Sequence, residues 1–184
     1  LGMMPLAIVA PNVMTLAIAS AVAVFGVGLS TRGRWDRHLA CVVWAYVLFH
    51  VQWYTRMGEG LEPAYVKLIA ALCVTLVFGA AGLVHYRKDY ATPSPSLLQL
   101  SVHLGNWGLL ALALLVYVPQ PVARASALMA FALGAFLLAG RARRLGVAWL
   151  HRADVLSSQA LVFLMLASLR ALIPSGTLLL LFAF

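Results

Sequence analysis

The amino-acid sequence predicts an all-α fold: a polytopic transmembrane helical bundle with six complete spans plus the start of a truncated seventh. Three observations lead there. Of 184 residues, 64% are hydrophobic and only 10% are charged, whereas about a quarter of the residues of a soluble domain are charged. Six apolar stretches have the ~17–25 residues that a helix needs to cross a hydrocarbon core of ~30 Å. The connections between these stretches alternate in charge.

The spans are expected at 6–29, 39–57, 64–86, 97–118, 122–140 and 153–173, and a seventh begins near Thr177. Pro11-Asn12 marks the leading residues of the first as an irregular lead-in, because a proline disfavours helix in the residue before it. Pro63, Pro119, Pro121 and Pro174 bound the later stretches. The apolar run 177–184 is far shorter than a crossing at ~1.5 Å per residue, so the chain is expected to be one transmembrane module, 1–184, cut from a longer protein.

Arg32, Arg34, Arg37, Arg87, Lys88, Arg141, Arg143, Arg144 and Arg152 all fall on the first, third and fifth connections. Arg56, Lys67, Arg124 and Arg170 are the remaining cations. Cytoplasmic loops carry the excess of Lys and Arg, which predicts an N-terminus outside, a C-terminus in the cytoplasm and, as the expected home, a bacterial inner membrane. The net charge of +8 is thereby a matter of topology. It does not form the single basic face that nucleic acid would require.

Trp35, Trp53, Tyr54, Tyr65, Tyr86, Tyr117 and Trp149 lie near span ends, where amphipathic rings prefer the headgroup layer. Gly26 and Gly28, and Gly79 and Gly82, would allow close helix approach, although none forms a strict GxxxG. Cys41 and Cys73 fall at different expected depths and are not expected to bond to each other.

His50 is the sharpest candidate for chemistry. Eleven residues from Leu39 at ~1.5 Å each place it ~16 Å deep, near the bilayer midplane, where an ionisable side chain is expensive. Asn106, Trp107, Cys73 and Thr75 come out at similar depth. A ligand-binding set of His50, Gln52, Trp53, Thr75 and Asn106 follows, although Gln52 lies only two positions from His50 and faces another side of the helix. A second polar layer is expected nearer the cytoplasm from Gln99, His103, Ser157, Ser158 and Gln159.

The same polar residues also suit interhelical hydrogen bonding. His38, His85 and His151 are read as loop or interface histidines beside Arg37, Arg87 and Arg152. No HxxxH, HExxH or paired His/Cys spacing suggests a metal, so neither metal nor cofactor is expected. The acidic residues Asp36, Glu59, Glu62, Asp89 and Asp154 all sit at loops or span edges, which leaves no intramembrane acid–base pair. No serine-hydrolase, P-loop or dinucleotide motif is present.

The leading functional expectation is a signal-input module, a sensor or receptor. It would bind a lipid-like or small amphipathic ligand and pass the signal to a C-terminal cytoplasmic output beyond this chain. In topology, without a shared motif, the layout looks like that of bacterial seven-helix sensor modules joined to kinase or cyclase outputs. An accessory or structural subunit of a larger membrane complex is the alternative, and a redox or metal-dependent membrane enzyme the third. Expected partners are membrane lipids, a lipid-like ligand or a membrane protein, and no nucleic acid.

Overall fold

A computed structural model describes residues 12–31, 36–57, 63–86, 96–146 and 150–172. Among them are six helices: α1 (Val13–Ser30), α2 (Asp36–Met57), α3 (Ala64–His85), α4 (Leu97–Tyr117), α5 (Pro121–Arg144) and α6 (Leu150–Leu172). Four of these, α1, α3, α4 and α5, are long and apolar enough to cross a membrane. The chain is a polytopic, largely apolar helical membrane protein.

This corrects the expectation of six complete spans plus a seventh, and with it the seven-helix layout. The physical reason is composition. α2 interleaves its apolar residues with Arg37, His38, His50 and Gln52, and α6 opens on Arg152 and Asp154 and continues through Ser157, Ser158 and Gln159. Helix length alone does not make a span when polar groups recur along it. The expected seventh segment, 177–184, lies outside the described residues.

α1 begins later than hydropathy suggests because Asn12 caps it. Asn12 has extended backbone, φ −148 and ψ 170, and its side-chain oxygen accepts from the Thr15 backbone N–H at 2.8 Å. Thr15 Oγ1 accepts from the Asn12 N–H at 3.2 Å, which completes a reciprocal capping box.

The chain divides into two compact units, Leu1–Ala91 with Pro95–Ala113, and Thr92–Ser94 with Leu114–Phe184. In the first, α1 packs against α2 and α3. Its buried face runs through Leu16, Ala19, Ser20, Ala23, Val27 and Ser30, and α3 offers Val66, Ala70, Val74, Val77, Ala81 and Val84. Lipid is as apolar as leucine, so helices in a bilayer associate by close packing, which small side chains permit.

Gly26 is where α1 and α2 come closest. A methyl group there would stand 2.9 Å from Val42 Cγ2, a contact that a stiff β-branched side chain cannot readily yield. The Gly26 carbonyl accepts from Ser30 Oγ at 3.1 Å and from His38 Nε2 of α2 at 3.1 Å. Gly105 of α4 plays a similar part against α2, with Val43 Cγ1 at 3.0 Å from the position of an added methyl. Gly28 and Gly79, also expected to aid packing, face open space.

The second unit is built on an antiparallel pair, α5 and α6. The buried residues of α5 are Leu128, Ala132, Ala135, Ala139 and Ala142, and those of α6 include Ala153, Leu156, Ala160, Phe163 and Ala167. Both follow an alternating spacing of three and four, the heptad pattern of a helix–helix seam. Arg143 of α5 reaches Asp154 and Ser157 of α6. Those contacts place the start of α6 beside the end of α5.

Two devices punctuate this unit. The Arg124 guanidinium folds back so that Nε and Nη2 donate to the Val118 carbonyl at 2.9 and 2.6 Å, fixing the link into α5 behind Pro121. At the other end Gly146 adopts φ +107, a conformation that L side chains rarely take and that glycine tolerates.

Candidate functional site

One set of polar and aromatic side chains in the first unit lies where the end of α3 meets α4. Tyr86, the C-cap of α3, holds its hydroxyl oxygen 2.6 Å from His103 Nδ1 and accepts a hydrogen bond from Trp107 Nε1 at 3.0 Å. An indole N–H can only donate, so Trp107 fixes one lone pair of the phenolic oxygen. His103 and Trp107 are both buried and stand four residues apart on α4, hence on one face.

Further rings flank this arrangement. His85 is buried and meets Tyr86 edge-on at 4.8 Å between centroids, with the His103 ring 6.3 Å away. Phe78 meets Trp107 edge-on at 4.9 Å. About two turns before the tyrosine, Asn106 Nδ2 donates to the Phe78 carbonyl at 3.1 Å, tying α4 to α3 a second time. Gln99 is buried on the same helix, and its backbone N–H donates to Ser96 Oγ at 3.2 Å.

A second cluster joins α1 to α2. Ser20 Oγ lies 2.7 Å from the Tyr46 hydroxyl and also donates to the Leu16 carbonyl at 2.7 Å. His50 is buried, with its ring edge-on to Tyr46 at 4.7 Å and to Phe49 at 5.5 Å, and Trp53 follows at 6.3 Å. Residues 46, 49, 50 and 53 recur at the i, i+3, i+4, i+7 spacing of a single helix face.

The residues predicted from sequence therefore divide. His50 and Trp53 share one cluster, while Gln52 is half-buried beside them. Asn106 belongs to the α3–α4 contact. Thr75 is exposed, and its hydroxyl donates to the Ala71 carbonyl of its own helix at 2.8 Å. Of the expected polar layer, Gln99 and His103 lie in the first unit. Ser157, Ser158 and Gln159 lie in the second, where Ser158 is exposed and donates to the Asp154 carbonyl at 3.0 Å.

Sequence reasoning missed two residues of this cluster. His85 was expected at the membrane edge and is buried, and Tyr86, expected there as an anchor, is half-buried at the centre of a hydrogen-bonded cluster. Trp53, expected both near a span end and in the ligand-binding set, is buried. The legible signal was the spacing His103-x-x-x-Trp107 on one face of α4, opposite the histidine and tyrosine that end α3. Tyr117, also expected as an anchor, is buried, whereas Tyr54 and Tyr65 are exposed as an interfacial role requires. Trp35 and Trp149 lie outside the described residues.

Chemically the α3–α4 cluster can hold helices, orient an imidazole and pass a proton between a phenol and an imidazole. Among the described residues no group of three or more His, Cys, Asp or Glu side chains converges. The two imidazoles of His85 and His103 alone fall short of the three protein ligands that a catalytic zinc takes. No family model matches the chain, and comparison with curated proteins and with solved structures gives no match.

Proposed function

We propose that this chain is an accessory or structural subunit of a larger membrane assembly, whose buried polar residues serve helix packing. The observation that carries this reading is how those residues are bonded. Ser20 meets Tyr46 between α1 and α2, His38 meets the Gly26 carbonyl, Asn106 meets the Phe78 carbonyl, and Tyr86 meets His103 and Trp107 between α3 and α4. Each bond joins two helices within the first unit. Polar side chains used in this way are glue in a bilayer.

In this reading His50, Trp53, Asn106 and His103 are packing residues. A ligand-binding role for His50, Gln52, Trp53, Thr75 and Asn106 is the competing account. The seven-helix signal-input layout is not carried forward, since only four helices have the length and composition of spans. The arginine-bearing end of α5 is assigned to the cytoplasmic side by the positive-inside rule.

Native mass spectrometry of the full protein, released gently from its own membrane, tests the reading. A fixed stoichiometry with a second membrane protein is expected, unchanged by His50→Ala. A lone chain carrying a reproducible small-molecule mass that His50→Ala abolishes would overturn it in favour of ligand binding.

A further inference from the structure

The last turn of α5 carries Arg141, Arg143 and Arg144, and these three arginines are not equivalent. Arg143 is directed at α6, with Nη2 3.6 Å from Asp154 Oδ1 and 3.4 Å from Ser157 Oγ. Arg141 and Arg144 are exposed and make no hydrogen bond or ion pair among the described residues. Three positions apart, they are neighbours on one side of the helix, with Cβ atoms ~5–6 Å from each other.

Their depth follows from the geometry of α5. The helix starts at Pro121, and at ~1.5 Å per residue Arg141 lies ~30 Å along its axis, the thickness of the hydrocarbon core. Arg144 stands ~4.5 Å farther, in the headgroup layer. The carbonyl end of the helix favours cations at this position without neutralising them. Two guanidinium forks side by side present paired N–H donors of the geometry that phosphate oxygens accept.

We propose that Arg141 and Arg144 form a headgroup site for an anionic glycerophospholipid, their guanidinium groups converging on its phosphodiester. Arg143 is left out of the site because its guanidinium is directed at Asp154 and Ser157 of α6. The site is a property of α5 alone and does not depend on whether the chain is a subunit of a larger assembly.

The test uses the purified full chain in nanodiscs that mix phosphatidylglycerol with phosphatidylcholine, and measures retained lipid by native mass spectrometry. In Arg141→Gln/Arg144→Gln, phosphatidylglycerol affinity is expected to fall about 25-fold, at ~fivefold per lost charge near a membrane surface. Arg143→Gln is expected to change it less than about twofold, because Asp154 already offsets that charge. Arg141→Lys/Arg144→Lys keeps the charge without the paired forks; it guards against misfolding as the cause and should bind more weakly than the wild type but more tightly than the double Gln variant.

Equal losses in Arg143→Gln and the double Gln variant would mean diffuse attraction instead of a site. Undiminished retention in the double Gln variant, equal retention of phosphatidylcholine, or displacement of the lipid by millimolar inorganic phosphate would each overturn the proposal. So would binding of an acidic peptide to the two arginines in preference to phosphatidylglycerol.

Discussion

Tyr86 and His103 approach to 2.6 Å, hydroxyl oxygen to Nδ1, and so join the end of α3 to the buried face of α4. The same oxygen receives the indole N–H of Trp107, so one atom of α3 organises two side chains of α4. Tyr86→Phe removes this atom while keeping the ring that meets His85 edge-on. It should lower stability by about 1–2 kcal/mol, the cost of depriving buried donors and acceptors of a partner. A lower midpoint in denaturant titration, followed by Trp107 fluorescence, checks this; an unchanged midpoint would show that the cluster contributes nothing to holding the helices.

Gly26 and Gly28 are a matched pair for testing close approach. Gly26→Ala should destabilise by about 1–3 kcal/mol, as overpacking against Val42 requires. Gly28→Ala, which meets open space, should be neutral or slightly stabilising, since alanine favours helix over glycine by about 1 kcal/mol. Thermal unfolding of both variants in the same detergent provides the comparison. Equal shifts would contradict the difference in packing.

Ser20 and Tyr46 bond across the α1–α2 contact at 2.7 Å. A double-mutant cycle with Ser20→Ala and Tyr46→Phe should return a coupling of about 0.6–1.5 kcal/mol, the range for hydrogen bonds between helices in membranes. Strict additivity of the two substitutions would place the bond outside the energetics of the fold.

The buried face of α5 is mostly alanine, and that of α6 carries the larger Leu156 and Phe163. Ala139→Leu should cost about 1–3 kcal/mol through overpacking, and Phe163→Ala about 3–5 kcal/mol through the cavity it leaves. Leu133→Ala, on the exposed side of α5, serves as the control with little effect. Protease resistance of the helical pair against temperature would report all three, and a loss in the control as large as in the seam variants would count against the register described.

Hydropathy averages over a window, which explains what could be read from sequence. Six helices occur close to where the apolar runs place them, yet two of them lack the composition of a span, because a window tuned to apolar content passes over recurrent polar groups such as His38, His50 and Gln52. Burial of single residues is less visible still. Trp53 and Tyr54 are adjacent in sequence, and one is interior while the other is exposed, a distinction decided by which side of α2 its neighbours cover. Gly105 was overlooked for the same reason: a lone glycine shows its purpose only once Val43 and Trp44 stand beside it. Thr75 and His50 shared an expected depth, but depth says nothing about direction around a helix, and Thr75 is directed outward.

Because α5 and α6 are consecutive and meet along a seam that starts beside their own turn at Arg143 and Asp154, the pair needs little loop closure to form. Contacts between near neighbours in sequence form quickly. The pair is therefore equipped to zip from its Arg143–Asp154 end as soon as its second helix has been synthesised. The α3–α4 cluster shares this locality, since Tyr86 bonds to His103 and Trp107 of the very next helix.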